Sequence, residues 1–244
     1  MCGTLVYGGR RMNLRRAIAL FLCSLTGCAT LSALGASSET TVVYGADAEA
    51  NLKKGNDAMA SKNYPEAAQY FEYIQTKYPF LEISKAAELR LADCDFEREQ
   101  YAQARERYQN FVRLHPTHDQ VDYAAFRAAL SHFKDIPSEF FLLPPAYEKD
   151  QVEARSSLSA LKEFVKLYPK STYASSAEEH LQKAKRRLAE HELYVAEFYA
   201  KREKWPAAIG RFREALERYS GTGFDDRIYF GLYEAYLKVD DRSK

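Results

Sequence analysis

The chain has 244 residues, 28% of them charged, and a formal net charge of +1 at pH 7. No basic surplus suits it to nucleic acid. Beyond the first 30 residues, no run approaches the roughly 18 apolar residues that a membrane-spanning helix needs.

The first element is a leader. Arg10, Arg11, Arg15 and Arg16 precede an apolar run from Ala17 to Leu25. A basic head, a short apolar stretch and small residues before a cut form an export signal. At about nine to eleven residues, the run is too short for a permanent transmembrane helix. Leu25-Thr26-Gly27-Cys28 resembles the lipobox of bacterial lipoproteins, so residues 1–27 are expected to be removed and Cys28 to carry acyl chains. Removal takes away four arginines and no acids, which turns the formal charge to −3. Cys94 is then the one other cysteine, unable to form an internal disulfide and flanked by a pattern that buries it. Residues 28–46 are small and polar and predict a flexible tether of roughly 60 Å at full stretch.

A repeat begins at 47, with Asp47 placed to cap the first helix. Pro79, Pro116 and Pro169 each close a helix, and the same residues recur upstream of each. Twelve positions back stand Ala67, Ala104 and Ser157; eight back, Phe71, Tyr108 and Leu161; five back, Ile74, Phe111 and Phe164. A fourth copy has Ala208, Phe212 and Ala215 before Tyr219-Ser220, while Gly55, Ala92 and Ala196 occupy the small position 24 residues back. Small residues let two helices approach, the aromatic fills the gap, and proline ends the second helix because it lacks an N–H. The chain is therefore expected to be all-α, a superhelical solenoid of about five tetratricopeptide-like hairpins over 47–244, the last incomplete.

The spacing from Pro116 to Pro169 is 53, against 37 for the preceding pair, so about 19 residues are inserted. Three prolines place the insertion at about 136–150, after a helix over Val121–Asp135. Phe140, Phe141, Leu142 and Leu143 give it an apolar segment that must dock on the solenoid or meet a partner. Helices are then expected from near Gln151, over Thr172–Lys201, from near Pro206, and over Asp225–Leu237. That last helix is left with Tyr229, Leu232 and Tyr236 uncovered.

The chain carries no phosphate-cradling Gly-rich loop and no Gly-x-Ser-x-Gly elbow. His115 and His118 have metal-like spacing, but they sit at a helix break and read as turn and cap residues. No enzyme, cofactor or metal site is expected. The aromatic content of 14%, mostly Tyr, suits a groove for aromatic peptides.

Several local motifs are more specific than the repeat. They are Tyr78-Pro79-Phe80, His115-Pro116-Thr117-His118 with Val121-Asp122-Tyr123, Tyr168-Pro169-Lys170-Ser171 with Tyr173, and Glu192 through Tyr199. With the lipobox, they make the chain resemble the BamD family, the lipoproteins of the outer-membrane β-barrel assembly machinery. The resemblance implies a non-catalytic scaffold, lipid-anchored on the periplasmic side of the outer membrane; Ala29, where Asp would favour the inner membrane, agrees. It implies that the N-terminal repeats bind unfolded outer-membrane proteins, with Asn56, Tyr64, Tyr78 and Phe80 as candidates. It implies that the C-terminal repeats bind the POTRA region of a BamA-like barrel protein through Arg211, with Phe140 and Phe141 as further contacts, alongside other assembly lipoproteins. The alternative is a periplasmic repeat adaptor of cell-envelope or cell-division machinery. One departure is that Phe126-Arg127-Ala128-Ala129 replaces the family's Arg-Gly pair.

Overall fold

A computed structural model describes residues 42–137 and 145–242, all in one unit beginning at Val42. Cys28, Phe140 and Phe141 lie outside the described residues. Those residues form α-helices and one 3-10 turn, in the order α1 (Ala48–Ala60), α2 (Tyr64–Lys77), α3 (Glu82–Glu97), α4 (Tyr101–Leu114), α5 (Val121–Lys134), the turn Ala146–Glu148, α6 (Val152–Leu167), α7 (Ala174–Lys201), α8 (Trp205–Tyr219) and α9 (Asp225–Arg242). Each helix packs chiefly on its sequence neighbours. That is the contact pattern of stacked hairpins, in which every helix is sandwiched between the one before and the one after.

The recurring positions form the core. Ala67, Phe71 and Ile74 on α2, Tyr108 and Phe111 on α4, Leu161 and Phe164 on α6, and Phe212 and Ala215 on α8 are all buried. Gly55 shows why the small position is needed, since a Cβ there would stand 2.5 Å from the Phe71 ring. Gly231 on α9 has the same relation to Phe212.

The turns repeat as faithfully as the core. Lys62, Glu99 and Glu203 all have left-handed backbone, with φ of 60°, 61° and 56°. Each closes the first helix of a hairpin with two reverse bonds, such as Glu99 N to Phe96 O at 3.0 Å and Gln100 N to Asp95 O at 2.9 Å. This pattern satisfies carbonyls that the helix end would orphan. The third hairpin has the insertion at that point instead. Pro65 and Pro206 sit in the first turns of α2 and α8, where no N–H is needed.

Asp47 caps α1, accepting from Ala50 N at 2.7 Å. The stretch Val42–Ala46, expected as the end of the tether, is held on the first hairpin. Lys54 donates to Val43 O at 2.7 Å, and buried Asn51 receives Gly45 N at 2.7 Å. α9 runs to Arg242, five residues beyond its expected end. Leu232, expected to be exposed, is half-buried against the Phe212 cluster. The open side of α9 instead consists of Tyr229, Phe230, Tyr233, Tyr236 and Leu237.

Candidate functional site

The first hairpin carries the predicted substrate residues, but not as one constellation. Phe80, at the α2–α3 turn, is 99% exposed, with Leu81 beside it also exposed. Tyr78 closes α2 and meets the edge of Tyr73 at 6.4 Å, while Tyr73 stacks on Tyr44 at 4.1 Å. Tyr44 in turn meets Tyr70 edge-on at 5.9 Å. Four tyrosines therefore form a continuous ladder that ends at Tyr78, two residues before Phe80 in the chain. Tyr44 and Tyr73 are missing from the sequence reading because Tyr44 falls in a segment whose composition reads as tether. Tyr64 packs against the hairpin core, and Asn56 is exposed on α1 with no side-chain hydrogen bond among the described residues.

The second and third hairpins are joined by a buried charge network. Asp93 on α3 is 2% exposed, and its Oδ1 accepts from Tyr108 at 2.6 Å and Tyr123 at 2.7 Å. Oδ2 accepts from Arg90 at 2.9 Å. Arg127 lies 3.7 Å over the Phe96 ring, donates to Tyr108 at 3.1 Å and pairs with Glu97 at 3.1 Å. Burial, and next the charge of Asp93, pushes the phenols of Tyr108 and Tyr123 well above the ordinary tyrosine value. Arg127 is thus a structural tie between hairpins; a guanidinium can stack and donate at once, which a lysine cannot. A second buried acid, Asp95, binds Arg107 at 2.6 Å.

His115 and His118 are occupied by acids: Glu88 at 2.9 Å from His115, and Asp119 at 2.8 Å from His118. Among the described residues, no group of three or more His, Cys, Asp or Glu side chains converges as a metal shell. No described helix is long and apolar enough to cross a membrane.

At the C-terminal end, Arg211 projects from α8 between two acids. Its Nη1 is 3.2 Å from Glu192, which is buried, and 3.2 Å from Glu214. A groove of about 500 Å³ lies between α7, α8 and α9, walled by Trp205, Phe212, Phe230 and Gly231, and Arg211 is not part of its wall. The Arg227–Glu197 pair at 2.6 Å crosses that groove, and the uncovered aromatic side of α9 continues from it. Phe230 and Tyr233 went unnoticed in the sequence because Gly231 interrupts the apolar pattern.

Stacked hairpins with buried ladder positions and open aromatic and charged faces define a tetratricopeptide-type repeat protein. The model of the outer membrane lipoprotein family YfiO matches residues 46–242. The chain belongs to that family. It is 29% identical over 220 residues to the outer membrane protein assembly factor BamD of Vibrio cholerae, covering 88% of this chain and 91% of that protein. It is also 29% identical over 224 residues to the assembly factor of the same name in Caulobacter vibrioides, covering 91% of this chain and 69% of that one. Among solved structures, a tetratricopeptide-repeat protein of Thermus thermophilus aligns at 17% identity and a TM-score of 0.38, over 78% of this chain and all of that one.

Proposed function

We propose that the protein is a non-enzymatic outer-membrane protein assembly factor, a scaffold that holds other polypeptides together. The observation that carries this reading is the family match from 46 to 242, which takes in nearly the whole described solenoid. In this reading the leader is cut before Cys28, acyl chains there anchor the protein on the periplasmic side of the outer membrane, and the residues up to Thr41 act as the leash.

The first hairpin receives unfolded outer-membrane proteins. The Tyr44–Tyr73–Tyr78 ladder and exposed Phe80 support this assignment, because aromatic faces bind apolar side chains with little loss of side-chain freedom. Tyr64 and Asn56, on the same hairpin, are further candidates for this contact. The C-terminal hairpins hold the POTRA region of a BamA-like barrel protein. Arg211 is preset there by two acids, and a partner carboxylate would compete with the more exposed Glu214 while Glu192 keeps the guanidinium aimed. Phe140 and Phe141 in the insertion add contacts, and other assembly lipoproteins complete the complex.

The test is crosslinking in native membranes followed by identification of the captured proteins. Recovery of a BamA-like barrel protein and of unfolded outer-membrane proteins is expected. Capture of peptidoglycan or Tol-type partners alone would overturn the reading. Mass spectrometry of the mature N-terminus checks the anchor, and an unmodified terminus elsewhere than Cys28 refutes it.

A further inference from the structure

Two cavities of the solenoid occupy the same register of consecutive hairpins. The first, of about 260 Å³, lies between α4, α5 and α6, with Val112, Ala125, Ala128, Ala129, Ala160 and Phe164 in its wall. The second, of about 320 Å³, lies between α6, α7 and α8 and includes Leu181, Val165, Lys162, Lys185 and Arg218. Ala125, Ala128 and Ala129 recur 53 residues later as Glu178, Leu181 and Gln182, the spacing that separates Pro116 from Pro169. Likewise Val112 recurs as Val165, and Gln109 as Lys162. The repeat has built one kind of site twice and given the two copies different chemistry.

The first socket is floored by alanines, and its two charged rim groups, Arg113 and Glu163, are of opposite sign. Its volume suits one large apolar side chain. The second has a smaller apolar floor and three cations against one acid, Glu178. Lys185 donates to Ser220 O at 2.7 Å, Arg218 lies 3.4 Å from Glu214, and Lys162 has no acidic partner among the described residues. With Glu178 and Glu214 set against the three cations, one positive charge is left over, and it favours a carboxylate from outside.

We infer that the two sockets together bind one extended polypeptide segment, with a large apolar side chain seated beside Ala129 and an acidic side chain seated among Lys162, Lys185 and Arg218. The sockets flank α6, so the segment must cross a single helix, roughly 10–12 Å wide with its side chains. An extended chain covers that distance in about four residues at roughly 3.3 Å each, and side chains four apart point to the same side. Leu167, 60% exposed on α6, belongs to the wall of the first socket and extends its apolar surface. This surface is separate from the aromatic ladder of the first hairpin and from Arg211, and the inference does not depend on the assembly role.

The probe is the peptide acetyl-Phe-Gly-Gly-Gly-Glu-amide, titrated into the full mature protein in detergent and followed by backbone amide NMR shifts. Amides of Ala125 and Ala160 and of Lys162 and Lys185 should shift along one saturation curve. Lys162→Glu with Arg218→Glu, both at exposed positions, should weaken binding at least about ten-fold and restore it for the matching Phe-Gly-Gly-Gly-Lys peptide. Ala160→Phe, which fills the apolar socket from its rim, should weaken both peptides alike. Equal affinity of the unaltered protein for the Glu and Lys peptides, shifts at one socket alone, or no saturation at millimolar peptide would overturn the proposal. The same shifts from phosphatidylglycerol vesicles without peptide would overturn it in favour of a lipid surface.

Discussion

Asp93→Ala is the most exacting test of how the second and third hairpins are joined. The carboxylate is 2% exposed and accepts from two tyrosines at 2.6 and 2.7 Å and from Arg90 at 2.9 Å. A hydrogen bond to a charged group contributes about 1.5–3 kcal/mol, and removing one member of a buried charged set costs about 3–5 kcal/mol. The lower figure is set by what remains, since Arg127 keeps Glu97 at 3.1 Å and the Phe96 ring at 3.7 Å. The expected loss is about 3–5 kcal/mol, a large share of a typical domain's stability of about 5–15 kcal/mol. Urea unfolding followed by circular dichroism measures it on a soluble form lacking the leader and carrying Cys28→Ser. Tyr108→Phe and Tyr123→Phe should each cost about 1–3 kcal/mol, and a double-mutant cycle with Asp93→Ala should be clearly non-additive. A loss below about 1 kcal/mol, or additive cycles, would refute the claim that this network ties the hairpins together.

The same tyrosines predict a pH dependence. Their phenols are raised in the folded state, first by burial and then by Asp93, so the native form holds its protons more tightly than the unfolded one. Their contribution is complete below the ordinary tyrosine value of about 10 and is lost as pH climbs above it; the urea midpoint should fall there, less steeply in Tyr123→Phe. Glu99→Gly should add roughly 1 kcal/mol of stability, seen as a higher urea midpoint, because it relieves a left-handed residue at φ 61°. Gly231→Val should cost about 1–3 kcal/mol by forcing α9 off Phe212, whereas Gly210→Ala, inside α8 with open space around it, should stabilise by roughly 0.5–1 kcal/mol in a thermal melt. Arg211→Gln combined with Glu192→Gln, which leaves no buried charge unpaired, should lower retention of the membrane partner in pull-downs while helicity holds; unchanged retention removes Arg211 from the contact.

The hairpin core was legible in the sequence because its offsets from proline repeat without change. Ala67, Phe71 and Ile74 are followed by their counterparts in α4 and α6, and all are buried. Helix ends were legible where a cap or proline marks them, as at Asp47 and Pro206, and not where α9 continues to Arg242 without one. The sites were less legible because they depend on groups far apart in the chain. Tyr44 reaches Tyr73 only because Asn51 and Lys54 hold its segment. Asp93 gathers partners 15 and 30 residues away. An acid in an apolar helix signals an unusual environment, but nothing in one sequence says which hydroxyls will turn toward it.

Cys94 lies in α3, one residue from Asp93, fully buried, with its thiol pushed up to about 12. A thiol with that value is almost wholly protonated near neutral pH, and the thiolate is the reactive form. Oxidants and alkylating reagents therefore reach it only when α3 lifts away from its neighbours. The rate at which Cys94 is labelled becomes a clock for the opening of that helix, readable by mass in the intact protein. Every substitution in the Asp93 network should change its rate, so the chain carries its own gauge of how often adjacent hairpins part.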